Sequence, residues 1–508
     1  MKYPDRPKKG DKDYKLYRRL EMLPGLLTWA TILGSIILSF LAPIMAVVFI
    51  IIYDVFWLTR VFIVTGHSLV AYRQMRKNEK IDWLKKAQKL GVCDGLSMEN
   101  VYHLIVIPYY REGLEILEPA IKSIVDSNYP KDKIIISMSG EQRAGKEAYT
   151  RQKVLKKKYG GLFKKFLTNV HPVLPGEMKV KTNNANWAAK KGIEYLKTAK
   201  IPIDKVIVSN FDCDTCIHKQ YLAKTSYHFI GEKERYRQSY QPLPTYNNNI
   251  WDTIAIVRIV ALGASFWHLT ESARPERLVT FSSHSMSLKA LKEVGFWQSD
   301  VISDDSAIFW QCYIYYDGNY TVRPLLISVS MDATLAGSFW KTLVNQYKQK
   351  RRWAYGIESF PRIGVAFFRG TKISFFEKFR HMMLMIEGHY SWATSSLIIL
   401  FLGWLPLIIG GNEFNETVVS HSLPLLTEAL LTFGMSGILV AMVLSFYLVP
   451  KKPSGYKKIR YLGMLFQWLL VPFIAPIMGF PAIDSQTRLM LGRYFSSFWV
   501  SEKLRKSK

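Results

Sequence analysis

Cysteine is scarce in this chain of 508 residues, which contains only four: Cys93, Cys213, Cys216 and Cys312. A secreted disulfide framework is therefore not expected, and a reducing compartment is the simpler environment. Cys213 and Cys216 have CxxC spacing, but no second CxxC and no paired histidines stand nearby. The pattern favours two small buried residues over a zinc site.

Acidic residues are also under-represented, since 40 Asp and Glu stand against 68 Lys and Arg, a formal net charge of +28. Such an excess predicts a polyanionic partner: nucleic acid, an anionic bilayer face or a phosphorylated substrate. The chain is nevertheless 49% hydrophobic, and its mean hydropathy is slightly positive. This balance favours an anionic membrane as partner and argues against nucleic acid.

The basic first 20 residues lack the small-residue cleavage pattern of a signal peptide. Apolar runs about as long as a bilayer is thick follow at 23–41 and 44–64, and again at 392–409 and 430–449. The loop between the last two runs is acidic, and the next loop, 451–460, is basic. The positive-inside rule therefore places the N-terminus, the central stretch and the 451–460 loop in the cytoplasm.

A final apolar run, 461–481, leaves the position of the basic tail open. One crossing would put residues 503–508 outside, whereas Pro472, Pro476 and Pro481 could break the run into a re-entrant hairpin protected by protein. The cytoplasmic tail is slightly favoured. The aromatic pairs at 367–368 and 375–376, close to Lys and Arg, predict helices that lie in the membrane interface.

These features divide the chain into segments with distinct expected roles. They are a basic cytoplasmic N-terminus (1–22), two transmembrane helices (23–66), a cytoplasmic catalytic domain (67–355), amphipathic interface helices (356–390), two or three transmembrane helices or a re-entrant segment (391–482), and a basic tail (483–508).

The central stretch alternates strand-like apolar runs with longer amphipathic segments. The clearest runs are Leu104–Ile107, Ile134–Ile136 and Val206–Val208. Strands that alternate with helices predict an α/β domain with a mostly parallel sheet. Each run ends just before a polar or Pro/Gly-rich patch, and ligands of such sheets gather at the carboxyl ends of the strands.

Asp212 and Asp214 follow the third of these strands. In extended chain, residues i and i+2 face the same way, so both carboxylates could reach one hard cation and the diphosphate that it neutralises. A lone Asp-x-Asp is a weak signal, and a solvated turn is the alternative.

A second acidic patch, Asp304 and Asp305, follows a short apolar run and Ser303. Adjacent carboxylates repel, so one of them could have a raised pKa that suits proton abstraction. The alternative is a helix N-terminus at which Ser303 caps and the two acids offset the helix dipole. Both descriptions can hold together.

A third patch places Gln349, Arg352 and Trp353 on one helix face, because they are spaced i, i+3, i+4. Arginine can grip phosphate oxygens in a bidentate manner, and tryptophan can stack on a sugar ring. The neighbouring lysines make a helix that binds an anionic membrane the alternative, and viewed alone the patch favours that alternative.

Together the three patches resemble those of the membrane glycosyltransferases of family 2, which include cellulose, hyaluronan and mannan synthases. The order Asp-x-Asp, acidic pair, Gln-x-x-Arg-Trp is the family's order, and apolar runs flank the domain as in those synthases. Further similarity lies in 107–112, with Arg111 where the family has Asn, in Lys181 with Asn186, in 283–289 as an acceptor-side loop, and in 498–503, which is similar to a cytosolic Trp-Val-x-Thr-Glu-Lys stretch.

The resemblance implies a GT-A-type nucleotide-sugar-binding domain, α/β with a mostly parallel sheet, inserted between transmembrane helices. It also implies Mg²⁺ or Mn²⁺ as cofactor and inversion at the anomeric carbon. Carried over by position, the residues would be catalytic (Asp305, Asp304), donor-binding (Pro108, Tyr110, Glu112, Glu141, Lys181, Asn186, Asp212), metal-binding (Asp214, Asp212), and acceptor- or diphosphate-binding (Gln349, Arg352, Trp353).

Two departures from the family pattern stand out. After the second strand only Glu141 could replace the acid that the family places near the nucleobase, which leaves UDP- and GDP-sugars both open. The acidic pair reads Asp304-Asp305 rather than Glu-Asp, which shortens the first acid by one methylene and keeps the expected base.

The sequence thus predicts an integral protein of a bacterial or archaeal-type plasma membrane with a cytoplasmic catalytic domain. The expected reaction is inverting, metal-dependent transfer of a hexose to a growing polysaccharide or glycolipid. The alternatives are a single addition to a lipid acceptor, a catalytically inactive scaffold, and a transporter. The donor sugar, the linkage, the acceptor and the oligomeric state are not encoded in any motif.

Overall fold

The computed structural model describes residues 2–175, 177–451, 453, 463–464, 466–495 and 499–505. Its helices before the acidic pair are α1 (Tyr14–Leu41), α2 (Pro43–Lys80), α3 (Trp83–Lys89), α4 (Leu114–Val125), α5 (Lys146–Tyr159), α6 (Lys181–Thr198), α7 (Tyr221–Gly231), α8 (Ala255–Ser272) and α9 (Leu288–Glu293). The later helices are α10 (Asp304–Tyr315), α11 (Phe339–Ala354), α12 (Ser359–Phe368), α13 (Phe375–Leu400), α14 (Leu405–Ile409), α15 (Gly411–Asn415), α16 (Val418–Leu448) and α17 (Val471–Met490).

The strands of the described residues form one eight-stranded sheet in the order β3-β2-β1-β4-β7-β6-β8-β5. They are β1 (Tyr102–Tyr109), β2 (Ile134–Glu141), β3 (Lys165–His171), β4 (Val206–Asn210), β5 (Cys216–Ile217), β6 (Gln238–Thr245), β7 (Ser285–Ser287) and β8 (Thr321–Ser330). Strands β3, β2, β1 and β4 run parallel, whereas β7 is antiparallel to both β4 and β6.

The three apolar runs predicted as strands are confirmed as the cores of β1, β2 and β4. Their side chains are buried on both faces of the sheet, as continuous apolar runs in parallel sheets are. One apolar cluster lies between the sheet and α4, α5 and α7, and another lies between the sheet and α6, α9 and α10. The predicted α/β class with a mostly parallel sheet is therefore confirmed.

In the described part of the chain, four helices are long and apolar enough to cross a membrane: α1, α2, α16 and the helical stretch Gln467–Met490. The stretch Phe375–Leu400 with Leu402–Ile409 passes the same test as a pair bent by 45°. The first two helices extend beyond their apolar runs, since α1 begins at Tyr14 and α2 continues to Lys80. Most of the basic loop predicted at 451–460 lies outside the described residues.

The chain segment before α1 and the segment 499–505 both pack against the α/β domain. The Gln298 amide donates to Asp5 Oδ1 at 2.7 Å. Leu335 and Lys503 form an isolated parallel β-bridge, in which Leu504 N–H donates to Leu335 O at 3.0 Å. Both segments therefore contact the domain that contains the sheet.

Two local expectations are corrected by the fold. The 283–289 segment, expected as an acceptor-side loop, contains β7 and is buried in the middle of the sheet, where Ser285–Ser287 pair with β4. Of the aromatic pairs expected in the membrane interface, Phe367 is buried in the catalytic domain because it faces the core from α12, whereas Phe368, Phe375 and Phe376 are exposed.

Candidate active site

The Asp-x-Asp segment lies at the carboxyl end of β4, in the middle of the sheet. The chain is not extended there as expected but turns, with Thr215 N–H donating to Asp212 O at 2.9 Å. The two carboxylates consequently meet different partners. Asp212 Oδ2 accepts from Ser282 Oγ at 2.5 Å, while Asp214 is fully buried and accepts the Asp332 N–H at 2.7 Å through Oδ2.

Lys181, the first residue of α6, joins the Asp-x-Asp segment to the acidic pair. Its Nζ lies 2.5 Å from Asp212 Oδ1 and 3.6 Å from Asp305 Oδ1. Burial alone would raise the pKa of Asp212, but the ammonium groups of Lys181 and Lys503 hold that pKa below its ordinary value. Three residues that are far apart in the sequence thus share one electrostatic centre.

The acidic pair occupies the first turn of α10, so the helix N-terminus predicted from the sequence is confirmed. Ser303 is the N-cap residue by position, but its hydroxyl does not cap the helix. It donates instead to Glu358 Oε1 at 3.0 Å, because that buried carboxylate competes for the hydroxyl. Asp304 is buried, whereas Asp305 is partly exposed toward Lys181.

Asp305 has the properties of a proton acceptor. Burial raises the pKa of Asp305 to about 6, the Lys181 ammonium opposes this shift, and the carboxylates of Asp304 and Asp212 add to it. Within the described residues its Oδ1 has no hydrogen-bond partner. The carboxylate is therefore available to take a proton near neutral pH.

Helix α11 carries the third patch, as the spacing predicted. Arg352 donates to Trp499 O at 3.0 Å, and its charge is close enough to interact with Asp212, Asp304 and Asp305. The Trp353 ring packs on Tyr246 with centroids 5.5 Å apart. Gln349 is buried and accepts from Thr334 Oγ1 at 3.0 Å, so its side-chain oxygen is engaged within the protein.

Another group of predicted donor-binding residues gathers where β1 and β2 end. The Glu112 carboxylate accepts the Tyr110 N–H at 2.7 Å. The Arg143 guanidinium lies 4.8 Å from the Tyr110 ring centroid and is paired with Glu141. Burial raises the pKa of Glu141, an effect that Arg143 opposes. The ring, the two acids and Arg143 form a polar cluster at the carboxyl ends of β1 and β2, called the shelf.

Pro108 and Asn186 take other positions. Pro108 is inside β1, buried and paired in register with Ser139 of β2. Asn186 exchanges two hydrogen bonds with the backbone of Trp297, at 2.8 and 3.1 Å. It is Asn184 that reaches the strand ends, where its amide donates to Tyr109 O at 3.1 Å and to Ser139 O at 2.8 Å.

Two basic residues of the 499–505 segment complete the centre, and the sequence reasoning did not include them in the site. The Lys503 ammonium lies 2.7 Å from Asp214 Oδ2, and carboxylates including Asp214 and Asp212 raise the pKa of Lys503 against the effect of burial. Arg505 forms a bidentate pair with buried Asp332, at 2.7 and 3.1 Å. The sequence contains a signal for them, because the 498–503 stretch, of which Phe498 lies outside the described residues, resembles a cytosolic synthase motif.

The residues present fit a divalent cation in part. Across the described ranges no group of three or more His, Cys, Asp and Glu side chains is arranged to hold a metal ion. Asp214 Oδ1, however, is buried and has no hydrogen-bond partner in the described part of the chain, and carboxylate oxygens suit Mg²⁺ and Mn²⁺. Such an ion would need further ligands from a bound substrate and water.

The model of glycosyl transferase family group 2 matches residues 207–479. The chain is 26% identical over 201 residues to a poly-β-1,6-N-acetyl-D-glucosamine synthase from Staphylococcus epidermidis, a match that covers 38% of this chain. It spans less than half, 43%, of the length of that relative.

Two solved structures are similar in outline. One is the mannosyltransferase PcManGT from Pyrobaculum calidifontis in complex with GDP-Man and Mn²⁺, at 13% identity and TM-score 0.43, over 88% of this chain and 100% of that chain. The other is S. aureus TarS with UDP-GlcNAc, at 11% identity and TM-score 0.36, over 78% of this chain and 93% of that chain. With more than half of its length matched by the family model, this chain belongs to glycosyl transferase family group 2.

Proposed function

We propose that this glycosyltransferase moves a hexose from a UDP- or GDP-sugar, with inversion and with a divalent metal, to a growing polysaccharide or glycolipid at the cytoplasmic face of a membrane. The observation that carries the proposal is the position of Lys181 between Asp212 and Asp305. A cation there can bind the departing diphosphate, while the base beside it takes the proton of the acceptor.

The acceptor half of the reaction rests on Asp305. Its carboxylate removes the proton of the acceptor hydroxyl, and the resulting oxygen attacks the anomeric carbon from the side opposite the diphosphate. The bond between the anomeric carbon and the phosphate oxygen breaks, and the electron pair leaves on the nucleoside diphosphate. Trp353 and Tyr246 provide the aromatic surface on which an acceptor sugar can stack.

The donor half rests on the cationic groups that surround the diphosphate position. Lys181 and Arg352 offset the negative charge that develops on the leaving group. Asp214 and Asp212 would hold Mg²⁺ or Mn²⁺, which supplies further charge neutralisation to the diphosphate when it is bound. Tyr110, Glu112 and Glu141 form the shelf for the nucleoside.

The rate of transfer is expected to fall as the pH falls through about 6, because Asp305 must be deprotonated to act as base. At pH 5 the rate should be about a tenth of its value on the plateau near pH 7.5. The measurement is a profile of kcat against pH in the saturating range of donor. A profile that is flat between pH 5 and 8 would remove Asp305 from the role of base.

Replacement of Lys503 by methionine should weaken the binding of the donor. In the absence of donor the Lys503 ammonium neutralises Asp214. With a metal ion held at Asp214, the ammonium would be released to neutralise the negative charge of the diphosphate. For Lys503→Met we expect a KM for the donor about tenfold higher, together with tighter binding of Mn²⁺ in the absence of nucleotide. Lys122→Met, an exposed lysine on α4, is the control, and an unchanged KM would contradict the assignment.

The membrane orientation is supported by two contacts. The segment before α1 and the segment 499–505 both contact the catalytic domain. The N-terminal segment is rich in Lys and Arg, which favours the cytoplasm for all three.

The stretch Gln467–Met490 is held near both of its ends. Near one end, Trp468 donates to Ser445 Oγ at 3.2 Å, and near the other Asp484 pairs with Arg351 at 2.9 Å. These anchors favour a stretch that enters and leaves on the cytoplasmic side over a simple crossing.

A single addition to a lipid acceptor is the second candidate. The limited number of apolar helices favours it, because a channel that exports a polymer needs enough helices to line it. Products with more than one added sugar would exclude it.

The decisive experiment is the release of nucleoside diphosphate by the detergent-purified protein. UDP- and GDP-sugars are each tested with Mg²⁺ and Mn²⁺, and Asp305→Asn is the control. Release from one donor that is lost in the variant supports the proposal and identifies the substrate. If a folded protein remains silent with every donor, added membrane lipid extract distinguishes a missing acceptor from a wrong assignment.

A further inference from the structure

A buried carboxylate behind the acidic pair has no part in the chemistry described so far. Glu358 ends the short 3-10 helix that follows α11, and only 1% of its surface is exposed. Its Oε1 accepts from Ile302 N–H at 2.7 Å, from Ser303 N–H at 3.0 Å and from Ser303 Oγ at 3.0 Å. All of these donors belong to the two residues that immediately precede the acidic pair.

The same carboxylate faces a network that reaches the segment before α1. Arg6 lies 3.9 Å from Glu358 Oε2, and the charge of Arg362 also stabilises the Glu358 carboxylate. Arg362 is fully buried, holds Asp300 through both carboxylate oxygens at 2.9 and 3.0 Å, and donates to Pro4 O at 3.1 Å. The loop that enters α10 is therefore held at two places, by Glu358 at residues 302 and 303 and by Arg362 at Asp300.

This arrangement is more than a helix cap needs. A charged acceptor takes two backbone donors and a hydroxyl that would ordinarily cap α10 by itself. The result is that the first turn of α10 cannot rotate or slide without breaking several hydrogen bonds inside the protein. That turn carries Asp305, whose distance to Lys181 defines the active site.

We propose that Glu358 is a positioning residue for Asp305, and that the segment 3–6 supports Glu358 from the outside. Glu358, Arg362 and this segment together are called the brace. Glu358 fixes the turn that enters α10. Burial raises the pKa of Glu358, and Arg362 and Arg6 oppose this rise and hold the carboxyl group in place. The inference rests on the proposed function, because it assigns Glu358 to the geometry of the base. Displacement of a catalytic group by about 1 Å can cost on the order of a hundredfold in rate.

The test separates positioning from general stability through the split between kcat and KM. For Glu358→Gln we expect kcat to fall about 10- to 100-fold, with the donor KM within about twofold of wild type, because the donor shelf on β1 and β2 is untouched. The rate is expressed per site that binds radiolabelled UDP or GDP, so partial unfolding does not imitate the effect. Glu377→Gln, which alters a partly exposed pair with Arg380 at 2.7 Å, is the matched control.

A double-mutant cycle tests the route of the effect. Ser303→Ala removes one of the donors to Glu358 and should lower kcat by a smaller factor. If Glu358 acts through this turn, the double variant Glu358→Gln/Ser303→Ala loses less than the product of the two single losses. Losses that multiply would overturn the proposed route. Should Glu358→Gln fail to fold, Ser303→Ala alone must lower kcat at unchanged KM.

The outer part of the brace, the segment 3–6, is tested by Arg6→Gln, for which we expect a loss of a fewfold in kcat at unchanged KM. An unchanged kcat in Arg6→Gln would show that the segment 3–6 does not help to position Asp305. If the wild type is active and Glu358→Gln has the same kcat, the positioning role is overturned. A wild type that transfers no sugar from any donor, even with lipid extract, would instead overturn the proposed function.

Discussion

Asp305→Asn is expected to reduce sugar transfer by about 10²- to 10⁴-fold, the range that removal of a general base produces. The asparagine keeps the size of the side chain and its place beside Lys181, but it cannot accept a proton. Nucleotide binding should survive, because Asp212, Asp214 and the residues at the ends of β1 and β2 are unchanged. The measurements are the rate of transfer and the binding of UDP or GDP by the same preparation.

The matched control for this loss is Asp132→Asn, an exposed carboxylate before β2, which should transfer sugar at the wild-type rate. Transfer by Asp305→Asn at more than about a tenth of the wild-type rate would exclude Asp305 as the base. Asp304 would then be the next carboxylate to test, since it lies in the same helical turn.

Asp214→Asn should be nearly as damaging, with transfer lowered about 10³-fold and Mn²⁺ no longer retained. The change removes the charge that holds Lys503 and that would hold the metal ion, while Asp332 N–H keeps an oxygen to which it can donate. Chelation of divalent ions in the wild-type protein should have the same effect on transfer and should be reversed by added Mn²⁺.

Binding of Mn²⁺ is followed by electron paramagnetic resonance in the presence of UDP or GDP, which gives a readout independent of turnover. Cys213→Ala in the same turn is the control for local disturbance, because it removes a buried thiol without a change of charge. Undiminished transfer after chelation would remove the metal from the proposal and leave Lys181, Arg352 and Lys503 to stabilise the diphosphate.

Local signals predicted the elements that carry the site. The apolar runs of β1, β2 and β4 and the i, i+3, i+4 spacing of α11 appear in the structure where the pattern placed them. The meeting of Lys181, Asp212 and Asp305 was expected only through the family resemblance, because the three residues lie on separate elements. Their predicted roles remain to be tested by the variants above.

The parts that could not be predicted depend on contacts between distant segments. Nothing in the local sequence of Glu358 distinguishes it from an exposed glutamate; its burial depends on how α11 and α12 pack against the loop before α10. The Asp212–Asp214 segment reads as extended chain, yet it turns, because Asp214 is drawn toward Asp332 and Lys503. Asn184 rather than Asn186 reaches the strand ends, a difference that helix phase decides and a motif does not.

The contact between Lys503 and Asp214 joins residues 289 positions apart, and this separation affects how the enzyme is made. Chains fold progressively as they are synthesised, so the strands around Asp214 are made long before Lys503 exists to neutralise its carboxylate. The nascent centre must remain open or hydrated until the last apolar helices have been made and the 499–505 segment has returned. A soluble fragment that ends at residue 355 would stop at that stage, with Asp214 and Asp332 both deprived of their basic partners.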